Sequence, residues 1–158
     1  MRLPNGVVIR PATLADVELI QAQRDAMFLD MGSSAERVAQ AHDASLDWFR
    51  SALADGSYSG VLAEQGGEAV GGAGVIWQSL PPSPRSLPVT RAYLLNVYVQ
   101  PSARGQGLAR WMLGHLLGEC ARRGVETVTL HASEAGRPTY ERLGFTPSNE
   151  MRLTLEAQ

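Results

Sequence analysis

The run Asn96-Val97-Tyr98-Val99-Gln100 reads as a strand and leads through Arg104-Gly105-Gln106-Gly107-Leu108-Ala109 into a long amphipathic stretch. Glycines at such a junction let the backbone turn tightly and approach a ligand with no Cβ in the way. The first N–H groups of the following helix lack intrahelical acceptors, and the helix dipole puts partial positive charge beside them. Consecutive N–H groups in that position suit a diphosphate. The Lys-Ser/Thr ending of the nucleotide-triphosphatase loop is absent, and the third glycine of a dinucleotide loop would fall at Arg110. Taken alone, Gly105-Gln106-Gly107 is best read as a plain strand-to-helix turn.

The rest of the chain offers few competing chemistries. His42, His115 and His131 have no metal-ligand spacing, so no metal is expected. No G-x-S-x-G elbow is present. Cys120 is the only cysteine and falls on an apolar helix face, which excludes an intramolecular disulfide and a thiolate zinc cluster. Fourteen Lys plus Arg against sixteen Asp plus Glu give a net charge of −2, with no basic excess to support a nucleic-acid or anionic-membrane surface. No apolar run approaches the ~20 residues of a membrane span. The opening Met-Arg-Leu-Pro-Asn-Gly lacks the apolar core of a secretory leader, so a cytoplasmic protein is expected. At 158 residues, 44% hydrophobic and 19% charged, the chain suits one globular domain spanning 1–158.

Several elements must position the loop. Val7 to Arg10 reads as a strand, and Thr13-Leu-Ala-Asp16 as a cap for a helix through Val17, Ile20, Met27 and Phe28. Ser33-Ser-Ala-Glu36 opens a second helix reaching about Leu53. Tyr58–Glu64 and Glu68–Gln78 form a hairpin about Gly66-Gly67, with Gly71, Gly72 and Gly74 pointing to a bulge or a close approach. The proline-rich stretch from Pro81 to Pro88 is a surface loop. Arg91–Val99 is a strand, and Leu108, Met112, Leu116 and Cys120 mark the core stripe of a helix from about Leu108 to Arg123. Glu126–His131 reads as a strand, Pro138 opens a short helix that Gly144 closes with Phe145 in apolar contact, and Glu150–Leu155 reads as a last strand. This order implies an α/β (α+β) domain with a mixed sheet.

Read together, these segments resemble the GNAT (GCN5-related N-acetyltransferase) superfamily over nearly the whole chain. Arg104-Gly-Gln-Gly107-Leu-Ala109 is similar to its R/Q-x-x-G-x-G/A loop, and Tyr140-Glu-Arg-Leu-Gly144-Phe145 to its Y-E-x-L-G-F segment. Ile9-Arg-Pro-Ala-Thr13 resembles the opening strand and cap, and Leu62–Val75 the central hairpin. The resemblance implies a largely antiparallel central sheet with flanking helices, whose fourth and fifth strands splay apart at the cofactor. It also implies acetyl-CoA as acyl donor and a primary amine of a small molecule, peptide or protein as acceptor. Carried over by position, backbone groups of Val97 and Val99 would bond the pantetheine amides. Arg104, Gly105, Gln106, Gly107, Leu108 and Ala109 would hold the diphosphate. Ser133 stands where the family often has a cofactor-binding Asn.

The same resemblance makes Tyr140 the expected catalytic acid. Attack by an amine on a thioester releases a thiolate with a reference pKa of ~8.5, and a phenol of ~10 stays protonated at neutral pH to neutralise it. The general base is left open. Deprotonating a lysine-like amine costs about 4–5 kcal/mol at pH 7 and an α-amine only about 1 kcal/mol. His131, Glu64 and Asp30 are weighed for roles near the amine, each read more simply as a structural or solvated residue. A non-catalytic acyl-CoA-binding module is the alternative reading, and a homodimer is expected only by analogy with the fold.

Overall fold

A computed structural model of the chain describes residues 2, 3 and 5–156, so Met1, Pro4, Ala157 and Gln158 of the expected 1–158 domain lie outside the described residues. Nine elements follow in order: β1 (Val8–Pro11), α1 (Val17–Asp30), α2 (Ala35–Asp55), β2 (Tyr58–Gln65), β3 (Glu68–Ser79), β4 (Thr90–Val99), α3 (Leu108–Arg122), β5 (Val128–Leu130) and α4 (Arg137–Arg142). The strands form one sheet in the order β1-β2-β3-β4-β5, antiparallel except for the parallel β4–β5 pair. This is the mixed, largely antiparallel sheet that the sequence implies.

Local chemistry accounts for the boundaries. Asp16 accepts from the Thr13 N–H at 2.7 Å at the entry to α1, and Ser34 Oγ accepts from the Arg37 N–H at 3.2 Å at the start of α2. Arg10 locks the first cap to the sheet through ion pairs with Asp16 at 2.8 Å and Glu64 at 2.5 Å. Gly66 and Gly67 both have positive φ, which makes the two-residue turn between Gln65 and Glu68 the primed type that suits strand twist.

Two cores sandwich the sheet. On one face α3 buries Leu108, Met112, Leu116 and Cys120, each no more than 2% exposed, against Val61, Ala73, Val75 and Leu94. On the other, Val17, Ile20, Phe49, Ala52 and Tyr58 join α1 and α2 to the sheet. Burial pushes the Cys120 thiol pKa up, in keeping with an apolar packing role. None of the helices among the described residues is long and apolar enough to cross a membrane.

The C-terminal expectation is corrected. Residues 146–156 form no strand, and Met151, Leu153 and Leu155 stand 94%, 83% and 81% exposed. Their alternation suits a strand, but a strand exists only when paired, and this segment has no ladder with β5. The expected strand 126–131 likewise shortens to the three residues that β4 can pair.

Candidate active site

Pairing between β4 and β5 runs from Ala92↔Val128 to Leu94↔Leu130 and stops. β4 continues five residues further, so its edge from Leu95 to Val99 faces an opening in the sheet. At the mouth sits Asn96, the only non-glycine with positive φ (59°) among the described residues. Asn tolerates this left-handed conformation better than most side chains. Here it is also clamped: Arg24 Nη1 donates to Asn96 Oδ1 at 2.7 Å, and Asn96 Nδ2 donates to Tyr58 Oη at 3.2 Å.

One glycine of β3 makes that clamp possible, and two others admit neighbouring groups. A Cβ at Gly74 would lie 2.0 Å from Tyr58 Oη and 2.3 Å from its Cζ, so the phenol crosses β3 only because Gly74 has no side chain. A Cβ at Gly72 would meet Gln23 Oε1 at 2.2 Å, and one at Gly71 the Tyr98 carbonyl at 2.8 Å. The β3–β4 register shifts between Gly72 and Gly74, opposite the bend at Asn96. Burial pushes the Tyr58 pKa up to about 12, so its hydroxyl stays protonated and accepts the Asn96 bond through oxygen.

Beyond Val99 the chain makes one 3-10 turn (Pro101–Ala103) and enters the glycine loop. Gly105 and Gly107 have φ of 81° and 75°, and Gly107 caps α3 with no side-chain acceptor. The N–H groups of Gly105, Gln106, Gly107, Leu108 and Ala109 have no acceptor among the described residues. Arg104 turns back from the loop: its Nε donates to the Val99 carbonyl at 2.8 Å and its Nη2 pairs with Asp30 at 2.7 Å. Asp30 is thus committed to Arg104. Gln106 holds the loop by donating to the Ala103 carbonyl and accepting from Asn5 Nδ2 at 2.7 Å. A groove of about 630 Å³ runs along α3, lined by Arg110, His115 and Arg122 among others, with Leu143 also on its wall.

Tyr140 is fixed by the end of its own helix. Gly144 N–H donates to the Glu141 carbonyl at 3.0 Å and Phe145 N–H to the Tyr140 carbonyl at 3.1 Å, with Gly144 at φ 99°. This is the Schellman arrangement, and its apolar contact is the edge-on packing of Phe145 and Tyr140, ring centroids 6.0 Å apart. Tyr140, Val97 and Val99 are half-buried against the same core. Burial raises the Tyr140 pKa, which keeps its proton in place at neutral pH. Ser133 Oγ accepts from the Gly136 N–H at 3.1 Å and so shapes the turn into α4.

The residues weighed as bases have other partners: Glu64 pairs with Arg10, and His131 Nδ1 contacts the Tyr93 hydroxyl. A second imidazole, His42 Nδ1, lies 2.5 Å from Asp25, whose other oxygen accepts from Gln21 at 2.8 Å. Sequence reasoning passed over Arg24 and Tyr58. Arg24 follows Ile20 by four residues on the core-facing stripe of α1, and a cation on such a stripe is the signal that could have found it. Tyr58 had a signal in the glycine cluster, because a bulky partner is what a close approach requires.

Comparison with known proteins agrees with this architecture. Residues 20–145 match the family model described as Acetyltransferase (GNAT) family. A GCN5-related N-acetyltransferase from Ralstonia eutropha JMP134 superposes with a TM-score of 0.91 at 38% identity, covering 95% of this chain and 99% of that one. A predicted acetyltransferase from Clostridium acetobutylicum, solved with acetyl-CoA, gives a TM-score of 0.87 at 27% identity, covering 95% and 96%. The [ribosomal protein bS18]-alanine N-acetyltransferase of Escherichia coli K12 is 39% identical over 64 residues, which span 39% of this chain and 43% of that protein. A profile match over most of the chain, with a fold to match, settles the family: this chain belongs to the GNAT acetyltransferases, a family of acetyl-CoA-dependent acyltransferases.

Proposed function

We propose that this protein is an N-acetyltransferase that moves an acetyl group from acetyl-CoA to a primary amine of a small molecule, peptide or protein by direct attack. The observation that carries the reading is the open β4 edge, with bare loop amides at one end and the Tyr140 helix on the same core face. Acetyl-CoA supplies an activated acyl thioester. Backbone groups of Val97 and Val99 would bond its pantetheine amides, and the free N–H groups of Gly105 to Ala109 in the 104–109 loop would take the diphosphate. A pantetheine N–H competing for the Val99 carbonyl would release Arg104 to add its charge there. The Ser133 hydroxyl keeps its proton free to donate to the cofactor. The acceptor nitrogen bonds to the acyl carbon as the C–S bond breaks, and Tyr140 donates its proton to the departing sulfur. The proton lost by the amine restores the phenol, so no covalent enzyme intermediate forms.

The test is Tyr140→Phe, with turnover measured by thiol release and acetyl-CoA affinity by calorimetry. Affinity should hold while the chemical step slows about 100-fold or more. Wild-type turnover under conditions where chemistry limits the rate would remove Tyr140 from the mechanism. We also propose that the chain works as one domain, in the cytoplasm, where a single buried cysteine is chemically at ease, and as a homodimer. The dimer reading is supported by the alternating exposed Met151, Leu153 and Leu155 and by β5, a sheet edge to which such a segment can add.

A further inference from the structure

Arg24 is a half-buried cation that forms no ion pair among the described residues. Its neighbour Asp25 faces His42 and Gln21 instead. The guanidinium lies 4.7 Å over the Phe28 ring and 5.5 Å over that of Phe49, and burial lowers its pKa. It remains charged at neutral pH all the same. Desolvating a charge is costly unless an opposite charge compensates. One of its five N–H donors is spent on Asn96. The remaining guanidinium nitrogens are not among the sealed, unsatisfied polar atoms, so they keep some solvent access beside Asn96 of β4. Asp25 acts on the guanidinium through space, with no hydrogen bond or ion pair between the two side chains. Beside Asn96 there is therefore a planar cation with no ion-paired carboxylate among the described residues.

We propose that Arg24 is the acceptor-recognition residue and that the acceptor is an amine carrying a free carboxylate, as a free amino acid does. The Phe28 and Phe49 rings lie close to the guanidinium and one donor is used on Asn96, so the other donors can meet the two oxygens of a carboxylate. The same positive charge disfavours an ammonium group nearby, so an amine held through its carboxylate is biased toward the neutral form that attacks. This inference rests on the acetyltransferase reading above and adds the chemical class of its acceptor.

The experiment compares each of the standard amino acids with its C-terminal amide as acceptor for the wild-type protein, reading thiol release, with acetyl-CoA affinity measured alongside. The expected result is at least one amino acid with kcat/KM about 10- to 100-fold above its amide, the range of a lost charged hydrogen bond. Arg24→Gln should bring that ratio toward one, chiefly through KM, with acetyl-CoA affinity retained, and Arg24→Lys should recover part of it. Amides that react as well as the free acids, or turnover confined to amines without a carboxylate, overturn the proposal while leaving the acetyltransferase reading intact. Failure to bind acetyl-CoA overturns that reading and this inference together. The wild-type comparison decides the matter even where a variant fails to fold.

Discussion

A single methyl group added at Gly74 should dislodge Tyr58 and, with it, the clamp on Asn96. The new Cβ would lie 2.0 Å from Tyr58 Oη, 2.3 Å from Cζ and 2.5 Å from Cε2, contacts that no side-chain adjustment of a few tenths of an ångström relieves. Tyr58 has little room to swing: it is 3% exposed and packs edge-on against Phe49 with centroids 5.0 Å apart. Overpacking of this kind costs about 1–3 kcal/mol. Stripping the Asn96 amide of a buried acceptor adds about 1–2 kcal/mol, for a total of about 2–5 kcal/mol. At about 2–4 °C per kcal/mol for a chain of this size, Gly74→Ala should melt about 4–20 °C below wild type. With Asn96 released at the mouth of the opening, kcat/KM should fall about 10- to 100-fold. The assay pairs urea unfolding with turnover and adds Tyr58→Leu, which vacates the space. In that background Gly74→Ala should cost less than about 1 kcal/mol, a coupling that isolates the contact. A Gly74→Ala protein within about 0.5 kcal/mol of wild type, in either stability or transition-state energy, would refute the claim that a bare Gly74 is what admits Tyr58.

Two further outcomes follow from other parts of the fold. Arg10 and the Thr13 N–H hold the Asp16 carboxyl at about 2, below its ordinary 3.8, so Asp16 stabilises the fold at pH values above the unfolded pKa. That contribution, about 2 kcal/mol, should make Asp16→Asn less stable at pH 7. The difference from wild type should narrow as pH falls from about 4 toward 2, and a pH-independent difference in urea titrations would contradict it. Deleting residues 150–158 should convert a dimer to a monomer by light scattering, and a full-length chain that is already monomeric would sink the dimer reading.

The sequence was most legible where local chemistry acts alone. The cap at Thr13, the Gly66-Gly67 turn and the Leu108–Cys120 stripe each depend on residues close in the chain and stand where their spacing puts them. The second cap falls at Ser34, one residue beyond the Ser33 that the spacing to Glu36 implies. The Gly144–Phe145 closure is also local, which is why an apolar contact for Phe145 could be read ahead of the structure, and the structure makes Tyr140 its partner. The clamp on Asn96 could not, because Arg24, Tyr58 and Asn96 come from three elements and meet only after the sheet has formed. Arg104 was read by its neighbours in the loop, whereas its partners Val99 and Asp30 are set by how α1 packs beside β4. The segment from Glu150 to Leu155 has the alternation of a strand and lacks a partner in its own chain, and pairing is not a local property.

The central claim is that the β4 edge and the 104–109 loop form an acetyl-CoA site, and calorimetric titration tests it most directly. The ligand-free protein should bind acetyl-CoA selectively over NAD and ATP. Gly107→Glu should abolish that binding by placing bulk and negative charge where a bound diphosphate would sit, at a backbone φ of 75° that already favours glycine. A folded wild-type protein that ignores acetyl-CoA, or a Gly107→Glu variant that binds it unchanged, would contradict the account.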